Sequence, residues 1–158
     1  MKPDSKLLRI LDANFNRSRE GLRVCEEIFR FFLNDSPLTR KLKKTRHQIT
    51  GLLKSMPVAQ SEILAARDVG RDEGRKPSFL EKKRAGILDL FLANIERTKE
   101  ALRVLEEFTK FLDARTSIQF KKLRFEVYTI EKRALPKLEA LCDHRPGRRK
   151  KAAGGKGA

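Results

Sequence analysis

Residues 13–32 read ANFNRSREGLRVCEEIFRFF, and residues 93–112 read ANIERTKEALRVLEEFTKFL. The two stretches lie 80 positions apart, match at ten of twenty places and are chemically similar at most of the others. Similarity at one fixed offset marks an internal duplication. Inside each copy the apolar residues recur every three to four positions, the spacing that gathers them on one face of an α-helix. A fainter echo follows: LKKTRHQI at 42–49 against FKKLRFEV at 120–127, which aligns Arg46 with Arg124. The repeated unit is therefore expected to be a helical hairpin, a long helix then a shorter one. The fold class is all-α, a helical bundle built from two pseudo-symmetric hairpins.

Outward from the repeat, 158 residues are enough for one sizeable core and not comfortably for two. We expect a single helical domain over 1–143, with halves 4–55 and 78–142. The first helix should start near Asp4 or Ser5 and run to about Leu33, its buried stripe including Leu7, Leu11, Cys25, Phe29 and Phe32. Ser36 as N-cap with Pro37 in the first turn opens the second helix, which Met56-Pro57 closes. A short apolar piece, 58–66, leads into the charged, glycine-containing stretch 67–77, read as a functional loop. Ser78-x-x-Glu81 is a capping-box signature for the third major helix. Residues 113–117 interrupt it, and a fourth helix follows, bent or broken at Pro136.

The formal charge is +16, and residues 144–158 carry six cations and no acid, leaving +10 on the rest. That tail is expected to be disordered. A body so basic selects anionic partners, phosphorylated metabolites or polynucleotides. Solvent faces that mix acids with bases, and few aromatic residues for stacking, weigh against nucleic acid. Cys25 and Cys142 have no CxxC spacing, and His47 and His144 are not placed for zinc. No run of about 18 apolar residues and no signal-peptide pattern is present, so a cytoplasmic protein without a membrane partner is expected. Homo-oligomerisation stays open.

Projected at about 100° per residue, the first helix places Asn14 in the middle of its apolar stripe, with Ser18 beside it and Arg17 at its edge. Asn94, Thr98 and Arg97 hold the same places in the second copy, and Gly21 and Ala101 are the small residues one turn on. Arg19, Arg23, Glu26 and Arg30 point away, which reads Glu26 and its counterpart Glu106 as a solvated face. Polar groups on an apolar face need partners, because an unsatisfied buried amide costs about 1–3 kcal/mol. Either they satisfy one another inside the protein, or the two Asn/Arg pairs converge on an anionic ligand, for which the arginine fork suits phosphate. Glu20 and Glu100 flank the stripe and would orient the arginines or join the chemistry. Arg46 and Arg124 would add cations, with Tyr128 and His47 as weaker candidates.

Five ordered motifs then carry a resemblance: D-A-N-x-N-R-x-x-E-G-L-R-V at 12–24, L-K-x-x-R-H at 42–47, R-D-x-x-x-D-x-G at 67–74, A-N-x-x-R-x-x-E-A-L-R-V-L-E-E-F at 93–108 and L-R-x-x-x-Y at 123–128. Together they resemble a small helical domain often fused in front of thiamine-phosphate synthase, a monofunctional kinase of hydroxymethylpyrimidine phosphate, here in its stand-alone form. One departure is Asp72-Glu73-Gly74, where that family has Asp-Val-Gly or Asp-Pro-Gly.

The resemblance implies transfer of the γ-phosphoryl of ATP, with Mg2+, to the phosphate of a phosphorylated pyrimidine, and a functional link to thiamine-phosphate synthase. A non-catalytic partner of that synthase, or a basic nucleic-acid-binding protein, are the alternatives. No GxxxxGK[ST] loop is present, so side chains must hold the nucleotide. We expect Arg17 and Arg97 to clamp phosphates with Glu20 and Glu100 beside them. Asn14, Asn94, Ser18, Thr98, Arg46, Arg124, Tyr128 and Arg67 are expected to bind substrate, and Asp68 and Asp72 to carry Mg2+.

Overall fold

The computed structural model describes residues 3–68, 70 and 85–143, and these form an all-α fold. Helix α1, Ser5–Glu27, passes into a π turn, Ile28–Phe32; α2 is Ser36–Ser55, α3 Gln60–Ala65, α4 Ile87–Phe108 with a 3-10 turn Thr109–Phe111, and α5 Ala114–Asp143. The long helix of each copy packs against the other copy's long helix and against its own shorter partner.

α1 and α4 run in opposite directions where they meet. Cys25 Sγ lies 3.9 Å from the Phe91 carbonyl oxygen, Gly21 sits against Asn94, and Ser18 faces Thr98. Around this crossing α2 and α5 complete one apolar cluster that includes Leu42 and Ile49 from α2 and Leu123, Val127 and Ile130 from α5. Two edge-to-face aromatic pairs tie the layers, Phe15 to Phe120 at 5.6 Å and Phe29 to Phe91 at 5.7 Å between ring centroids. A smaller cluster of Leu8, Val58 and Ile63 seats α3 beside the start of α1.

Several expected boundaries move, for local reasons. α1 does not continue as α-helix to Leu33, because the π turn inserts extra backbone over Ile28–Phe32 and rotates the following side chains off the apolar stripe. Phe32, expected inside, is therefore 58% exposed. Asn34 at φ 50° ends the element in the left-handed conformation that asparagine tolerates. Asp35 rather than Ser36 caps α2, its carboxylate accepting the Leu38 N–H at 2.9 Å. The apolar piece at 58–66 forms α3.

The helix carrying the second copy begins at Ile87 after Gly86, not at Ser78, and the capping-box pair Ser78 and Glu81 lies outside the described residues. The interruption at 113–117 shrinks to Asp113, which caps α5 by accepting the N–H groups of Arg115 and Thr116 at 3.0 and 3.2 Å. Pro136 lies inside α5 without interrupting it. Among the described residues no helix is long and apolar enough to cross a membrane.

Cys25 gives the packing a chemical readout. Burial pushes its thiol up to about 12, and none of the residue is exposed, whereas Cys142 is partly exposed. A disulfide reagent at about pH 8 should modify one thiol of the native chain and two after denaturation. Fast modification of both in the native chain would mean that the α1–α4 crossing opens.

Candidate functional site

The repeated stripe meets itself. Asn14 Nδ2 donates to the Ile10 carbonyl and Asn94 Nδ2 to the Leu90 carbonyl, each at 2.8 Å and each one turn back along its own helix. Ser18 Oγ donates to the Phe15 carbonyl at 3.0 Å, and Thr98 Oγ1 to the Asn94 carbonyl at 2.9 Å. Both hydroxyl residues have no exposed surface. The indentation at Gly21 is filled by the opposing helix, so Ser18 and Thr98 line a crossing and not an open pocket. Arg17, Arg97, Glu20 and Glu100 lie at the solvent side of α1 and α4.

Glu26 and Glu106 correct the sequence reading. They are 2% and 4% exposed, not solvated, because α2 and α5 cover that flank and bring a cation to each. Arg46 Nε donates to Glu26 at 3.0 Å, and Arg23 lies 3.3 Å away on the other side. In the second half Arg124 donates Nε and Nη2 to Glu106 at 3.0 and 2.8 Å, and Arg103 joins at 2.7 Å. Tyr128 Oη accepts from Arg124 Nη1 at 2.9 Å. Burial opposes the charge on Arg124, but the hydrogen bonds to Glu106 and Tyr128 outweigh it and hold its pKa above the ordinary value.

Arg67, also expected in the site, forks onto Asp12 with bonds of 2.6 and 2.7 Å. That bond, with a smaller push from Glu20, keeps Arg67 above its ordinary pKa. Asp68 lies 4.0 Å from Arg9, and Asp72 lies outside the described residues. Among the described residues no three His, Cys, Asp or Glu side chains gather as a metal would require.

Two neighbouring clefts share a residue that sequence reasoning sent to solvent, Arg19. One, of about 420 Å³, lies along α2 between Arg19, Arg46, His47, Thr50, Gly51 and Lys54. The other, of about 260 Å³, lies between α1 and α3 and includes Asp12, Phe15, Asn16, Arg19, Leu64 and Arg67. Arg19 is half-buried, and its Nε is sealed from water without a hydrogen-bond acceptor. Arg46 and Arg67 are thereby brought to either side of Arg19, while Arg124 and Tyr128 lie in the other half of the fold. One signal for Arg19 was present in the sequence: the repeat keeps a cation at this place, as Lys99. Chemically, the cleft along α2 suits an oxyanion, since its charged donors are guanidinium and ammonium groups, whereas in the other cleft Asp12 already takes two donors of Arg67.

Comparison with known proteins bears on what such clefts serve. Residues 9–133 match the model of the ThiD2 family. The chain is 40% identical over 124 residues to the thiamine-phosphate synthase of Nostoc punctiforme, covering 78% of this chain and 34% of that protein. It is 40% identical over 126 residues to the thiamine-phosphate synthase of Synechocystis, 79% of this chain and 35% of the other. With the protein of that name from Rhodopirellula baltica the identity is 37% over 123 residues, 77% and 32%. The chain thus spans about a third of the length of these curated relatives. No solved structure matches it. With its five motifs inside the matched span, the chain belongs to the ThiD2 family.

Proposed function

We propose that the chain acts in thiamine biosynthesis as a phosphotransferase, moving the γ-phosphoryl group of ATP onto the phosphate of hydroxymethylpyrimidine phosphate. The observation that carries this is the pair of clefts that share Arg19: Arg46 and Lys54 add cations to one, and Arg67, held by Asp12, stands in the other. The acceptor oxygen belongs to an ionised phosphate, so no strong base is needed; the obstacle is bringing two polyanions together. As the acceptor oxygen bonds to the γ-phosphorus, the bond from that phosphorus to the bridging oxygen breaks, and ADP leaves with the electron pair. Guanidinium groups lower the repulsion along this path.

Arg17 and Arg97, with Glu20 and Glu100 beside them, remain part of the proposal as exposed groups on α1 and α4 that contact the substrates. Asn14 and Asn94 keep their side-chain oxygens for ligand. Ser18 and Thr98 act only through the crossing they hold. Magnesium, when bound to ATP, would neutralise phosphate charge. Asp68, with Asp72 outside the described residues, would hold it together with phosphate oxygens.

A second reading is favoured by the relatives themselves: they are thiamine-phosphate synthases by name, and this chain is similar to about a third of each. In it the chain is a non-catalytic partner of thiamine-phosphate synthase. The comparisons lean towards this reading and the clefts towards the first. Purified chain given ATP, magnesium and hydroxymethylpyrimidine phosphate should form the diphosphate. If none forms, and the chain instead raises the rate of a synthase supplied with that diphosphate, the partner reading replaces the kinase.

A further inference from the structure

The two halves of the chain treat equivalent positions differently. Residues of α1 map onto α4 by the offset of 80, so Arg19 answers to Lys99 and Asn16 to Glu96. The echo between α2 and α5 has an offset of 78, so Arg46 answers to Arg124, His47 to Phe125, Thr50 to Tyr128 and Leu53 to Glu131. In the second half this place is closed by its own side chains. Arg124 spends three donors, two on Glu106 and one on the Tyr128 hydroxyl. Lys99 is held by Glu96 at 2.6 Å and by Glu131 at 2.9 Å, with the Tyr128 ring 5.6 Å away.

In the first half the same geometry is left open. Among the described residues Arg46 donates a single N–H, Nε to Glu26. Asn16 stands where Glu96 would neutralise the cation, Leu53 where Glu131 would, and Thr50 turns its hydroxyl back to the Arg46 carbonyl at 3.2 Å. The buried Arg19 Nε finds no acceptor among the described residues. A cleft of about 420 Å³ remains where the tyrosine would sit. That volume falls in the range of small-molecule sites, and its donors match a tetrahedral oxyanion.

We propose that the cleft between Arg19, Arg46, Thr50 and Lys54 is a phosphate-binding subsite, and that Tyr128, Glu96 and Glu131 plug its duplicate in the second half. The ligand class is a phosphate or diphosphate group of a small molecule. The choice of ligand rests on the phosphotransfer reading; the site itself does not require turnover.

Titration calorimetry of the full chain with inorganic pyrophosphate tests this. One molecule should bind per chain. Thr50→Tyr, which copies the plug, should weaken binding by about tenfold or more, as loss of one charge-assisted hydrogen bond would. Arg19→Gln should weaken it by a similar factor and stands in if the tyrosine variant does not fold, which a thermal melt reports. No binding, two equal sites, or binding indifferent to Thr50→Tyr and Arg19→Gln overturns the proposal. Diphosphate formation by a chain lacking this binding would sink the subsite and keep the kinase. Binding that Thr50→Tyr removes, in a chain without turnover, would do the reverse.

Discussion

Replacing Glu106 by alanine should cost about 3 kcal/mol of stability and lower Tm by about 10 °C. The Glu106 side chain is 6% exposed and holds Arg124, itself 13% exposed, so removing it strands a mostly buried guanidinium. Buried pairs broken on one side lose about 3–5 kcal/mol, and the lower end applies because the other partner, Arg103, is half-exposed. Tyr128 cannot compensate, since its hydroxyl already accepts from Arg124. The double replacement Glu106→Leu with Arg124→Met should recover most of the loss, because two apolar groups of similar size leave no charge unpaired. A thermal melt of the three variants checks this. A loss below about 1 kcal/mol for Glu106→Ala would show the pair to be a solvated one, as the sequence had suggested.

Gly21→Ala should destabilise the chain by about 2 kcal/mol, even though alanine is the better helix former by up to about 1 kcal/mol. A methyl group there would stand 2.7 Å from the Asn94 carbonyl oxygen and closer still to Thr98 Oγ1. The hydroxyl can rotate at the expense of its bond to the Asn94 carbonyl; the carbonyl belongs to α4 and moves only if the two long helices separate. Gly51, in α2, is the control. A methyl there meets nothing within 4 Å, so Gly51→Ala should stabilise by about 0.5–1 kcal/mol. Equal behaviour of the two glycine variants in a melt would refute the close approach of α1 and α4.

These two variants also show what the sequence discloses and where it stops. Helical phase places Leu11, Cys25, Phe91 and Leu105 inside, and they are inside. The small residue at Gly21 signals a close approach as well, but phase within one helix does not say what approaches; it left a ligand pocket and a neighbouring helix equally open. The same gap explains Glu26 and Glu106. They lie on a flank whose fate depends on where α2 and α5 dock, and an ion pair between residues 18 and 20 positions apart leaves no periodic trace. Arg19 was lost for the same reason. The π turn erased the phase of Phe32, since a single wide turn has no sequence rule of its own. What was readable was relational: Arg46 aligned with Arg124 and Glu26 with Glu106, and the structure pairs Arg46 with Glu26 and Arg124 with Glu106.

Beyond Pro136, α5 is held by Leu138, which is fully buried, and by Lys137, whose ammonium group reaches the Asp35 carboxylate at the head of α2. Arg46 lies eleven residues further along α2, about 16 Å away at 1.5 Å per residue. The end of α5 at Asp143 therefore lies at the pole of the bundle remote from Arg46 and Lys54. Growth of the bundle from α1 and α4 outward thus ties the two ends of the α2–α5 pair to different tasks: one end is clamped by Lys137 and Asp35, the other carries the cations of the cleft.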